Sequence, residues 1–330
     1  MNEKIDFVIT WVDGDDGKWR ELRDKFQSDV NDTNEIRYRD WGTLKYWFRG
    51  IEKYAPWVND IYFVTWGHLP DWLNTDHPKI KIVKHEDFIP EEYLPTFSSH
   101  TIELNLHRIK GLSDKFVYFN DDTFLINSVR VEDFFVKGLP CDIATLYPNI
   151  VSTSDDMFDH IQLNVSELFS RNFDIKKVIR DNRGSWYTLR YGKNVLKTMM
   201  LSPFPQFPGI VLTHQPISYL KKTFQEVWER ENDSLNKTCL NKFRTINDVN
   251  QYVFRYWQIG KGDFHPYNIL KRGEYVSLEA ADLDYNMLLS IKKPVLCIND
   301  TSDQIDFISE KKKLTDAFQQ RFPEKSSFEK

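Results

Sequence analysis

With 330 residues, 44 Lys and Arg against 49 Asp and Glu, and a net charge of −5, the chain is mildly acidic. That argues against a general nucleic-acid binder while leaving local basic clefts open. Its 41% hydrophobic content suffices for one large domain or two modest ones, and no run approaches the roughly 20 apolar residues of a membrane span.

In chain order, Ile5 to Val12 reads as a strand that ends in the turn signal Asp13-Gly14-Asp15-Asp16-Gly17. Thr43 to Tyr54 reads as a helix, because Leu44, Trp47, Phe48 and Ile51 recur at helical spacing and Pro56 follows. Ile61 to Thr65 and Ile80 to Val83 are two further strands. Ser99 to Lys110 is a helix with Ser98 or Ser99 as its cap and Gly111 at its end. Phe116 to Phe119 is a buried strand. This alternation predicts an α/β fold with a Rossmann-like, mostly parallel sheet. From about residue 155 the pattern turns helical, with helices expected over Ile217 to Glu231 and Ile246 to Tyr256. Val295 to Ile298 reads as a returning strand, and a last helix starts near Ser309 and stops at Pro323. The pattern suits one α/β domain with a helical insertion: residues 1–150 as the core, 151–290 as the insertion, and 291–330 completing the core.

The chemistry-bearing residues cluster at predicted strand ends. Asn120-Asp121-Asp122 interrupts an apolar run, and two adjacent carboxylates need water, a partner or a cation. At the carboxyl end of a parallel strand they would face the ligand crevice and suit magnesium or manganese; alternatively they form an ordinary Asx-type turn. Thr10-Trp11-Val12-Asp13-Gly14 sits where α/β folds meet a nucleotide, with Gly14 permitting close backbone approach, or it is a plain strand-end turn. There is no GxGxxG loop to suggest a dinucleotide cofactor. Arg37, Arg39, Lys45 and Arg49 form a basic group around the first long helix, suited to a diphosphate or simply solvated. His100, Glu103 and His107 share a helix without metal-site spacing. His214 follows the apolar Ile210 to Leu212 and is a candidate base; Arg244 lies in Lys242-Phe243-Arg244-Thr245. Asn299-Asp300 repeats the polar-pair-after-strand pattern. Cys141, Cys239 and Cys297 form neither a zinc pattern nor a disulfide framework, which fits a reducing compartment.

Taken together, four blocks resemble the Stealth family. These are bacterial capsular-polysaccharide sugar-1-phosphate transferases related to the catalytic part of the animal N-acetylglucosamine-1-phosphotransferase. The blocks are Ile5 to Asp15; Arg37 to Asp40 with Leu44 to Gly67 and Pro95 to Leu125; Phe207 to Tyr256; and Cys297 to Thr301. The resemblance implies a GT-A-like fold and transfer of a sugar-1-phosphate from a UDP-sugar (UDP-N-acetylglucosamine or UDP-hexose) to a glycan hydroxyl, with release of UMP. It also implies a role for Asp121 and Asp122 in holding Mg2+ or Mn2+ or the acceptor hydroxyl, for His214 as base or donor to the phosphate, and for Arg244 in stabilising transition-state charge. Thr10, Trp11, Asp13 and Gly14 would frame the nucleotide. Arg39, Lys45 and Arg49 would meet the diphosphate, with Lys45 standing where the animal relatives have arginine. Ser99, Glu103, His107, Asn299 and Asp300 match binding positions of less defined role. Without the inserted modules of the animal enzymes, the chain points to a polysaccharide acceptor, free or lipid-linked. Activated sugars and the absence of an export signal in MNEKIDFVITWVDGDD place the expected site of action in the cytoplasm, including the inner membrane face. Two alternatives stay open: a conventional glycosyltransferase that releases UDP, and a non-catalytic carbohydrate-binding protein of a capsule assembly complex.

Overall fold

The computed structural model describes residues 4–27, 38–153, 156–278, 285, 287–300 and 305–330. Arg37 and Thr301 lie outside the described residues. Eleven strands run through the described chain: β1 Asp6–Thr10, β2 Ile61–Thr65, β3 Ile80–Lys84, β4 Lys115–Phe119, β5 Thr123–Leu125, β6 Phe135–Val136, β7 Leu139–Asp142, β8 Ile217–Leu220, β9 His265–Pro266, β10 Gly273–Ser277 and β11 Val295–Asn299. The helices are α1 Gly17–Phe26, α2 Leu44–Tyr54, α3 Ser99–Asn105, α4 Met157–Asn172, α5 Ile175–Asp181, α6 Arg183–Trp186, α7 Asn194–Leu201, α8 Lys221–Arg230, α9 Asn232–Leu240, α10 Tyr252–Lys261, α11 Met287–Ser290 and α12 Phe307–Arg321.

The central sheet has the order β3-β2-β1-β4-β8. Its first four strands are parallel, and β8 closes the edge antiparallel to β4. The fold is therefore α/β with a mostly parallel sheet, as the alternation predicts. Residues of β1, β2 and β4 alternate between two hydrophobic cores, as a period of two requires. Phe7, Ile9, Phe63, Val117 and Phe119 face one core, together with α2, β5, β11, α12 and the C-terminal Phe328. Val8, Tyr62, Val64, Phe116 and Tyr118 face the other, which the helices from α4 to α10 cover. The C-terminal segment thus packs on the same face as the first long helix. Gly50 lets β5 approach α2 closely: a Cβ there would collide with the Leu125 carbonyl.

Three predicted elements differ from what forms, the first being the helix expected over Ser99 to Lys110, which gives way to a 3-10 turn after Asn105. Ile217 to Leu220 is strand, not the first turn of a helix, because the open edge of β4 offers it a ladder from Lys115↔Leu220 to Tyr118↔Ile217; a four-residue apolar run carries no period of its own. The helix predicted from Ile246 starts six residues later, at Tyr252, because Asp248 first closes a turn by accepting from the Thr245 backbone N–H at 2.9 Å and its hydroxyl at 2.8 Å.

Candidate active site

In the register Ile9↔Phe119, β1 and β4 end side by side. Their carboxyl ends open into a cavity of about 330 Å3. Thr10, Trp11 and Val12 line it from β1; Asn120, Asp121 and Asp122 line it from the turn between β4 and β5. That turn is closed by Thr123, whose hydroxyl donates to the Asn120 carbonyl at 2.8 Å. It is pinned from β11 by the Ile298 N–H, which donates to the Asp122 carbonyl at 2.9 Å. The same cavity receives His214, Arg244, Arg39, Ser99, Glu103, Asn299 and Asp300. Residues 94 positions apart in the chain are brought together here: Nε2 of His214 lies 2.9 Å from Asp122 Oδ2 and 3.3 Å from Asn120 Nδ2.

His214 is held by groups that its own segment does not reveal. Tyr252 donates its hydroxyl to the Thr213 carbonyl at 3.1 Å, and Arg272 donates to the Pro216 carbonyl at 2.6 Å. Arg255 donates to the Val211 carbonyl at 2.9 Å while pairing with the buried Asp142 through two contacts of 2.8 Å. Arg244 is oriented by a 2.6 Å donation to the Ser99 hydroxyl at the start of α3. Its loop is fastened by Asp248, which also lies 3.0 Å from His100 Nδ1. Glu103 is buried, accepts from the Tyr118 hydroxyl at 3.3 Å, and joins through it to Thr10 at 3.0 Å.

The electrostatics match this crowding. Asp121 is exposed into the cavity but enclosed by its walls; that enclosure, with the neighbouring charges of Asp122 and Asp40, raises its carboxyl from 3.8 to about 7. The charge of Asp122 raises the His214 imidazole above its ordinary value against the opposing effect of burial. The buried oxygen Oδ1 of Asp122 has no hydrogen-bond partner among the described residues. An orphaned carboxylate oxygen beside a second carboxylate of raised pKa fits a hard divalent cation, which would relieve both. Oxygen and nitrogen atoms of Asp122 and His214 also lie within 4.8 Å of the Cys297 sulfur. Burial and the charge of Asp122 push that thiol far up, so it stays protonated and donates to Asp122 at 3.7 Å, a poor ligand for a hard ion.

Not every predicted residue reaches the cavity. Arg49 is turned to the other side of α2, where it forms a two-pronged pair with Glu329 at 2.7 Å for both contacts and donates to the Phe322 carbonyl at 2.6 Å. Its guanidinium is consumed in tying α2 to the C-terminal segment, which removes it from the expected diphosphate contact. Lys45 does not line the cavity and sits over the Tyr46 ring at 5.0 Å. His107 follows the end of α3, where a 3-10 turn over Leu106–Arg108 rotates it into the core against Phe224 and Trp228; burial lowers it to about 3. Asp13 and Gly14 do not line the cavity. Asp13 caps its own turn by accepting from Asp15 N–H at 2.9 Å, and a Cβ on Gly14 would strike the Tyr38 carbonyl.

Known proteins are similar to this chain, the family models over its first two blocks and the relatives over nearly its whole length. The family models for Stealth protein conserved region 1 and conserved region 2 match residues 3–29 and 37–142. A capsular polysaccharide phosphotransferase WcwK of Streptococcus pneumoniae is 46% identical over 99% of this chain and 98% of its own. The receptor polysaccharide phosphotransferase WefC of Streptococcus gordonii is 40% identical over the whole of both chains. The exopolysaccharide phosphotransferase cps2G of Lactiplantibacillus plantarum is 38% identical over 99% of this chain and 96% of its own. Among solved structures, the galactosyltransferase LgtC aligns over 96% of this chain and 95% of its own at 9% identity, with a TM-score of 0.42, a likeness too small to argue from. With full-length relatives at such identity and both conserved regions in place, this chain belongs to the Stealth family and is a transferase.

Proposed function

We propose that the protein transfers a hexose- or N-acetylhexosamine-1-phosphate from a UDP-sugar to a hydroxyl of an acceptor glycan, releasing UMP, in the synthesis of a capsular or other cell-surface polysaccharide. The observation that carries this reading is the contact of Asp122 with His214 in a cavity that also holds Asp121 and Arg244. The relatives' names favour movement of phosphate over movement of a sugar alone.

In this reading the nucleotide lies at the end of β1 against Thr10 and Trp11, with Asp13 and Gly14 shaping the turn behind. Arg39, Ser99, Glu103, Asn299 and Asp300 line the donor and acceptor paths. His214 directs Nε2 at Asp122, which leaves Nδ1 to take the proton of the attacking hydroxyl. Asp122 orients the ring and stabilises the imidazolium that results, as carboxylate–imidazole pairs do. Arg244, set by Ser99, meets the charge that develops on the transferring phosphate. Asp121 and Asp122 would hold a divalent cation, Mg2+ or Mn2+, which when bound neutralises charge on the diphosphate. The core of residues 1–150 would then bind the donor, the helices of 151–290 would face the acceptor, and 291–330 would complete the core. We place this activity in the cytoplasm.

The test is to incubate the protein with a panel of UDP-sugars, manganese and glycan acceptors and identify the nucleotide formed. UMP is expected, and His214→Ala should slow its release about a hundredfold or more. Formation of UDP would instead make the protein a conventional glycosyltransferase.

A further inference from the structure

Helix α7 seats Val195 and Leu201 on the core but leaves much of its apolar surface in water. Asn194 and Thr198 face the protein and are buried, whereas Leu196, Met199 and Met200 are 59%, 55% and 73% exposed. The inward polar residues have a local cause. The chain just before the helical region needs acceptors for its N–H groups: the Thr198 hydroxyl takes the Leu146 N–H at 3.3 Å, and the Tyr191 hydroxyl takes the Ala144 N–H at 3.2 Å. Thr198 is therefore turned inward beside Val195 and Leu201, and Leu196, Met199 and Met200 are left in water. Flanking this face, Leu189 is 93% and Phe204 57% exposed. A single exposed apolar residue needs no explanation, but several on one short stretch mark an interaction surface.

The charge around the face says what would cover it. From Arg183 to Gln206 the sequence carries four basic residues, Arg183, Arg190, Lys193 and Lys197, and no acidic one, although the whole chain has a net charge of −5. Unbranched and γ-branched apolar side chains set among cations are the pattern of a helix that lies in a lipid interface. We propose that the α7 face docks on an anionic lipid surface, with Leu196, Met199 and Met200 entering the headgroup boundary and Lys193 beside the lipid phosphates. This surface is separate from the cavity residues named above and does not depend on the reaction.

The test is co-sedimentation of the full chain with vesicles of phosphatidylcholine mixed with phosphatidylglycerol, compared with phosphatidylcholine alone. The protein is expected to sediment with the anionic vesicles, to be released by high salt, and to stay free of the neutral ones. Leu196→Ser with Met200→Ser should weaken binding by about tenfold or more, and Lys193→Glu by about fivefold or more. All three positions are exposed, so thermal melting should not move. The proposal is overturned if the protein ignores anionic vesicles or if the double variant binds them as well as the parent. It is also overturned if the protein, without binding vesicles, forms a concentration-dependent dimer in ultracentrifugation that the double variant abolishes; the face would then belong to a second copy.

Discussion

Replacing Asp142 by Asn tests how the wall that carries His214 is held. The Asp142 and Arg255 side chains are only 4% and 1% exposed, and their two contacts are each 2.8 Å. Unit charges about 4 Å apart attract by about 4 kcal/mol at an effective dielectric of about 20. The larger effect is that Asn leaves the Arg255 guanidinium buried and uncompensated, for which a loss of about 3–5 kcal/mol is expected. In thermal terms this is a fall on the order of 10 °C. The double variant Asp142→Leu with Arg255→Met removes both charges and should regain part of that loss. It regains only part, because the Val211 carbonyl, three residues before His214, also loses its donor. Urea denaturation followed by tryptophan fluorescence measures all three proteins. A loss below about 1 kcal/mol in Asp142→Asn, or a double variant no more stable than Asp142→Asn, would refute the reasoning.

Arg49→Ala should destabilise by about 3–5 kcal/mol, because Glu329, 3% exposed, loses its partner, while the donor KM of the folded fraction stays unchanged in steady-state assays; a large rise in KM would restore Arg49 to the diphosphate. Asp121 has a folded pKa raised from 3.8 to about 7, so the folded state binds its proton more tightly than the unfolded state and loses stability as pH climbs through that window. Asp121→Asn should therefore melt higher than the parent at pH 8 by about 2 °C or more, with the gap closing toward pH 4, as calorimetry across pH would show. If the ionised Asp121 is needed for transfer, kcat/KM of the parent should also fall as pH drops below about 7.

The parallel core was legible because its strands are continuous apolar runs separated by segments of helical spacing: Ile61–Thr65 forms at the bounds read from sequence, and α2 starts one residue late. The twin carboxylates were legible because acids so abruptly placed in an apolar run have few places to go. What stayed hidden depends on partners far away in the chain. Arg49 reads as a free cation on a helix until Glu329, 280 residues on, takes it. His107 shares a helical face with Glu103 only while the helix continues; the tightening at Leu106 sends it into the core. Arg255, Arg272 and Tyr252, which hold the His214 segment, carry no local signal, since each acts on a backbone carbonyl of another element. The exposed face of α7 was hidden as well, because its inward side mixes Asn194 and Thr198 with Val195 and Leu201.

The central claim is tested most directly by following the phosphorus nearer the sugar. A UDP-sugar labelled at its β-phosphorus is supplied with acceptor glycan, and the label is located after turnover in the parent, Asp122→Asn and His214→Ala proteins. Transfer of sugar-1-phosphate puts the label into the glycan product as a phosphodiester and leaves unlabelled UMP, and both variants lose this incorporation while staying folded. Label retained in UDP, or undiminished incorporation in the two variants, would contradict the account.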